Sequence, residues 1–311
     1  MNRHQRYNQL IEACKLLKPI KTAVIHPCDH ISLDGVVNAS KMALIEPILI
    51  GPEKKIHAIA EQHDLDISLL TLINTPHSHA AAIAGVNVVN EGKAQALMKG
   101  SLHTDELMSA VVKHSGGLRT ERRISHCFII DVPNHKHTVI VTDAAINIAP
   151  SLEVKVDIVQ NAIDMAIDLG IVHPKVAILS AMETVNTKVP STIEAAALCK
   201  MADRKQITGG ILDGPLAFDN AISLEAASIK NIDSPVAGNA NILVVPNLES
   251  GNVLAKSLII MAGADAAGIV LGAKVPIILT SRADAVLTRL ASCAIAALIA
   301  NARISRIEKH L

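Results

Sequence analysis

Aromatic residues are almost missing: the 311-residue chain has no tryptophan, one tyrosine and two phenylalanines. That argues against base-stacking nucleic-acid modules, which depend on aromatic faces. It also leaves the core to be packed from Ala, Ile, Leu, Val and Met. Charge of one sign is missing too, with 29 Lys plus Arg against 29 Asp plus Glu. No global field favours DNA or an anionic membrane, so any anion site must be local. Cysteine is sparse, odd in number and scattered, at Cys14, Cys28, Cys127, Cys199 and Cys293, without a CxxC. Reduced thiols in a cytosolic protein are the simplest account. The start, MNRHQRYNQLIEACKLL, is amphipathic and carries no apolar segment of the signal-peptide kind. The most apolar run, Leu290 to Ala300, is shorter than a bilayer span. A soluble, cytoplasmic protein with no membrane partner is expected.

What the chain does have is apolar material, 50% of residues against 19% charged, and a length beyond what one core supports, so two domains are expected. Short apolar runs alternate with longer helical patterns, which marks an α/β protein with a largely parallel sheet. Strands are predicted at Thr22–His26, Pro47–Ile50, Leu70–Ile73, Ala94–Met98, Ile124–Val132, Thr138–Thr142, Val176–Ser180, Gly210–Asp213, Ile242–Pro246, Gly268–Gly272 and Pro276–Thr280. FIIDVPNHKHTVIVTD breaks the alternation and reads as an antiparallel hairpin, with the passage between domains expected soon after it, near Asp143–Pro150. Ser101 or Thr104 is expected to cap a helix whose first turn holds Asp105 and Glu106 and which stops at Ser115-Gly116-Gly117.

Four strand-to-helix corners carry polar residues: KGSLHT at 99–104, DGPLAFD at 213–219, PNLESGN at 246–252 and TSR at 280–282. Ligands of open α/β sheets bind outside the carboxyl ends of strands, so these corners are candidate site loops. Each also has a plainer account, as helix caps or solvated charges. Neither GxxxxGK[ST] nor GxGxxG after a strand is present, although helix N-termini with Ser, Thr and Gly can still bind phosphate. The basic stretch Lys113–His126 fits a polyphosphate tail or a solvated loop equally well. The histidine pairs His77/His79 and His135/His137 lack metal-ligand spacing, so no metal is expected. Cys127 and Cys293 read as buried thiols, and no GxSxG elbow is present.

In order along the chain, ALMKGSLHTDELM, TDAAINIAPS, DGPLAFDNAIS, PNLESGN and PIILTSRAD resemble the phosphotransacylase family, the phosphate acetyltransferases and phosphate butyryltransferases. The resemblance runs from about Val24 to Ile299. It implies two α/β/α domains of the isocitrate/isopropylmalate dehydrogenase-like fold with an interdomain cleft. One would be residues 1–142 plus 275–311 and the other 143–274, in a homodimer. It implies exchange of an acetyl or butyryl group between coenzyme A and inorganic phosphate, by direct transfer in a ternary complex. Acyl-CoA or CoA and phosphate or acyl phosphate would be the only partners, with no cofactor. By the same resemblance Arg282 would grip phosphate, Ser281 would hydrogen-bond the thioester sulfur or the developing oxyanion, and Asp284 is a candidate base. Acetyl-type members carry an aspartate seven positions after the motif serine, where this chain has Thr288, so the base stays open. Lys99, His103, Thr104, Asn247, Glu249 and Gly251 would line the cleft and position phosphate, with Arg119 a further anion contact. Two other readings stand beside this one: an isocitrate/isopropylmalate-type NAD-dependent dehydrogenase, and a non-catalytic acyl-CoA sensor.

Overall fold

The computed structural model describes residues 4–279 and 285–309. The elements run α1 (Gln5–Cys14), β1 (Ile20–Ile25), α2 (His30–Lys41), β2 (Ile45–Gly51), α3 (Glu53–Gln62), β3 (Thr71–Asn74), α4 (Ser78–Asn90), β4 (Ala96–Lys99) and α5 (Thr104–Val111). They continue with β5 (Ser125–Asp131), β6 (Val139–Thr142), α6 (Leu152–Asp168), β7 (Lys175–Leu179), α7 (Pro190–Asp203), β8 (Ile211–Leu216), α8 (Phe218–Ile222), α9 (Leu224–Ile229), β9 (Ile242–Val244) and α10 (Leu248–Met261). The chain ends with β10 (Asp265–Leu271), β11 (Ile277–Ile278) and α11 (Val286–Lys309). Every strand expected from sequence is present, each shifted by one to three residues at one end or both. The reason is legible in burial: β4 and β6 are buried at every position, as apolar runs must be when helices cover both faces of a sheet.

Two compact units divide the chain, Arg123–Ala266 and a terminal unit made of His4–Arg122 with Ala267–Leu311. The boundaries expected from sequence, after Thr142 and at Val275, differ from these. The β5–β6 hairpin groups with the middle unit because β6 pairs in parallel with β9, Ile140 opposite Ile242. In the terminal unit the sheet order is β3-β2-β1-β4-β11-β10. All its pairings are parallel except β10 with β11, where Ile269 faces Ile278, an antiparallel turn-back the sequence did not suggest. In the middle unit the order is β5-β6-β9-β7-β8, antiparallel only at the hairpin.

Helix ends follow the sequence unevenly. Ser151 caps α6 by accepting from Val154 N–H, and Gly170 follows the helix with φ of +91°. For α5 neither expected cap acts: His103 holds the N-cap position without a side-chain bond, Thr104 is the first helical residue, and Ser101 is engaged elsewhere. The helix also ends at Val111, before Ser115.

α11 corrects the length read from sequence. Its stretch Val286–Arg306 is long and apolar enough to cross a membrane by length and composition, and most of it is buried in the fold. Ala291, Ala294, Ile295 and Ala296 are fully enclosed, and the Cys14 thiol of α1 donates to Ala294 O at 3.4 Å. Small residues let α1 approach closely, so the apolar character belongs to a core helix.

Candidate active site

The terminal unit brings three strand ends to one rim. Ile278 of β11 pairs with Met98 of β4, and Met98 pairs with Val24 of β1, all in parallel. Lys99 and the KGSLHT corner leave this rim from β4, and His26 leaves it from β1. In sequence the Thr280–Asp284 segment follows from β11. Ser281, Arg282 and Asp284 therefore lie outside the described residues.

At the rim, Lys99 is 7% exposed and its Nζ donates to Gly100 O at 3.2 Å and Leu102 O at 3.1 Å. An amino group held by two carbonyls of its own corner fixes that corner around it. Gly100 N–H donates to Ile25 O, and a β-carbon on Gly100 would stand 2.5 Å from that oxygen. Only glycine lets β4 run this close to the end of β1.

His26 has a left-handed backbone, φ +54°, rare for a non-glycine residue and typical of sites where surrounding bonds enforce it. Those bonds are visible. His26 N–H donates to Ile50 O at 2.7 Å, its carbonyl accepts from Ser101 N–H and from Ser101 Oγ, and its Nδ1 lies 3.0 Å from Ser101 Oγ. Partial burial, helped by the Lys55 ammonium, pulls the imidazole below its usual 6.5, with Glu106 and Asp29 opposing. Glu106 in turn accepts the Ser78 hydroxyl, which lowers its carboxyl first, with His79 3.8 Å away. Cys28 is buried and its thiol is pushed up to about 11 by desolvation.

The other residues expected on this unit spread out. His103 is exposed and Thr104 half-buried at the start of α5. Arg119 is exposed on a loop anchored through its antiparallel bridge to Ala273 and through Thr120 Oγ1 donating to Gly272 O at 2.7 Å.

In the middle unit, Asn247, Glu249 and Gly251 share the N-terminus of α10. Asn247 caps it, accepting from Ser250 N–H at 2.9 Å in a capping box. Glu249 is exposed in the first turn, where the helix dipole favours it. Gly251 is buried, and a β-carbon there would meet Val245 Cγ2 at 2.8 Å and Asp143 O at 3.0 Å. The loop it touches is held by the Asp143 carboxylate, which accepts from the N–H groups of Ala145, Ile146 and Asn147 and from Asn147 Nδ2 at 2.6 Å. Thus TDAAINIAPS and PNLESGN, distant in sequence, are one packed corner. His26 was absent from the expected site residues, while Ser101 and Asp143 fell within the motifs KGSLHT and TDAAINIAPS but were given no role in the site. For His26 the available signal was its place at the carboxyl end of the first expected strand, Thr22–His26. Among the described residues no group of three or more His, Cys, Asp or Glu is placed to hold a metal ion.

Residues 77–297 match the sequence model of the family described as phosphate acetyl/butaryl transferase. The phosphate acetyltransferase of Rhizobium meliloti is 61% identical over 298 residues, 96% of this chain and 94% of that protein. The chain belongs to this family. Within the same family, the phosphate butyryltransferase of Clostridium acetobutylicum is 39% identical over 94% of this chain and 98% of its own length. Among solved structures, a branched-chain phosphotransacylase from Enterococcus faecalis V583 superposes with a TM-score of 0.79 at 32% identity, over 90% of this chain and 99% of that one. The mixed α/β architecture is therefore close to that of known phosphotransacylases.

Proposed function

We infer that this chain is a phosphate acyltransferase: acyl-CoA + phosphate ⇌ acyl phosphate + CoA. The near-full-length match to a phosphate acetyltransferase carries the reading. The dehydrogenase and sensor alternatives are not favoured by these relatives. Acetyl is the first substrate to test, since the acetyltransferase relative is the more similar of the two.

The chemistry required is economical. A phosphate dianion and a thiolate must meet at one carbonyl carbon, and a fixed cation lowers the cost of their repulsion. In this proposal Arg282 grips phosphate with two parallel hydrogen bonds, and Ser281 bonds the thioester sulfur or the oxyanion. Lys99, His103 and Thr104, with Asn247, Glu249 and Gly251, would line the substrate site and position phosphate. Holding both substrates together supplies proximity, so direct transfer in a ternary complex needs no prosthetic group. The proposal keeps the isocitrate dehydrogenase-like arrangement with an interdomain cleft, the homodimer and a soluble, cytoplasmic location.

The test is to incubate purified protein with acetyl-CoA, propionyl-CoA or butyryl-CoA and phosphate, following thiol release colorimetrically. Release faster than the enzyme-free blank, greatest with acetyl-CoA, is expected. No release with any short acyl-CoA would remove the reading.

A further inference from the structure

We propose that His26 is the base that accepts the thiol proton of coenzyme A, its Nε2 lone pair left available by the bond between Nδ1–H and Ser101 Oγ at the rim where β1, β4 and β11 end. The inference rests on the acyltransferase reading and deepens it.

The tautomer follows from counting protons. Ser101 Oγ has one, donated to His26 O at 2.8 Å. Toward Cys28 N–H, 3.3 Å away, the same oxygen accepts. Toward Nδ1 at 3.0 Å we assign the oxygen as acceptor too, which puts the ring proton on Nδ1 and leaves Nε2 bare. Among the described residues nothing hydrogen-bonds Nε2, and the residue is half-buried. An oriented neutral imidazole with one lone pair unengaged is the arrangement a general base requires.

The neighbouring groups are poorer choices. The Cys28 thiol is pushed up to about 11, the Lys99 amino group is engaged with two carbonyls, and Glu106 is occupied by Ser78, which lowers its carboxyl. The charged groups facing His26 are Lys55 from α3, Glu106 from α5 and Asp29 before α2. Burial first, then Lys55, pull the imidazole below its usual value against Glu106, its own backbone carbonyl and Asp29, which favours the neutral ring. In register, His26 follows Ile25, which pairs with Lys99 of β4.

The step balances. Nε2 takes the S–H proton, the sulfur lone pair forms the C–S bond to the acyl phosphate carbonyl, and the C–O bond to phosphate breaks. Phosphate leaves with that electron pair, and the imidazolium returns its proton to phosphate or water. In the opposite direction the imidazolium protonates the departing thiolate.

The experiment uses the full chain as wild type, His26→Asn and Ser101→Ala, with acetyl phosphate and CoA between pH 5.5 and 9. Asparagine tolerates the left-handed backbone and its amide N–H can still meet Ser101, but it has no counterpart of the Nε2 lone pair. At pH 7, His26→Asn should lower kcat by about 100-fold or more, with the KM for CoA within about threefold. The wild-type rate should fall on the acid side of about pH 6.5. The variant should instead rise roughly tenfold per pH unit toward the pKa of the thiol itself, a signature that a merely structural loss would not give. Ser101→Ala should cost about tenfold and keep the acid limb. Melting curves by circular dichroism check that both variants fold. Independently, NMR of the wild type should place the His26 ring proton on Nδ1. Wild-type kcat and pH profile in a folded His26→Asn, or a proton on Nε2, would overturn the inference alone. A wild type that forms no thioester from any short acyl phosphate would overturn the acyltransferase reading as well.

Discussion

A β-carbon on Gly100 would stand 2.6 Å from the carbonyl oxygen of His26, nearer than real contacts allow. The neighbour is backbone, tied into hydrogen bonds with Ser101, so it cannot yield by a rotamer change. Gly100→Ala should therefore cost about 1–3 kcal/mol of stability and lower activity by displacing the corner that carries Lys99 and Ser101. Urea denaturation would register this as a lower midpoint at unchanged slope. An equally stable variant would mean the two strand ends have room to part.

If Arg282 binds phosphate through a charge-assisted contact, Arg282→Ala should lower kcat/KM by more than roughly tenfold. Arg282→Lys should recover only part of that, because an ammonium has no planar fork. Steady-state kinetics varying phosphate would decide, and wild-type values in Arg282→Ala would deny the residue this role.

His126 should make stability depend on pH. It is 1% exposed, meets the Phe128 ring edge-on at 4.4 Å, and burial draws it down to about 4, with the Asp143 charge opposing. Its ordinary value is about 6.5, so between the two the unfolded chain takes up a proton that the native chain refuses. Native stability should therefore be flat above about pH 6.5 and fall toward pH 4, by on the order of 3 kcal/mol from this residue. Urea melts at pH 7.5 and 4.5 should show a smaller drop for His126→Leu than for wild type. Equal drops would assign the acid sensitivity to other groups.

The cysteines should be inert in the native protein. Burial pushes Cys127 and Cys293 up to about 12 and Cys14 to about 11, and the half-buried Cys199 also reaches about 12. Thiolate, the reactive form, is scarce at such values. A colorimetric thiol reagent should find all five thiols in denaturant and almost none quickly in native protein. Fast native labelling would show that the chain opens locally around one of them.

What the sequence determined by itself is what depends on near neighbours. Runs such as Ala94–Met98 and Thr138–Thr142 announced buried strands because a strand covered on both faces has no room for polar alternation. VPNHKHT announced the hairpin turn, and Ser151 and Gly170 the limits of α6. The ordered motifs, read as a resemblance, led to the family. Tertiary structure alone decided what depends on register and approach. Thr104 gave no cap, and Ser101 is spent on His26, which it meets only because β1 and β4 pair in parallel, Ile25 beside Lys99. The hairpin joined the middle unit through one pairing, Ile140 with Ile242, that no local pattern encodes. Gly100 and Gly251 were read from sequence only as members of two candidate site corners, yet each is where backbones far apart in the chain touch. Periodicity is a property of a few adjacent residues, whereas a proton donated from Ser101 to His26 exists only once two distant strands have found their register.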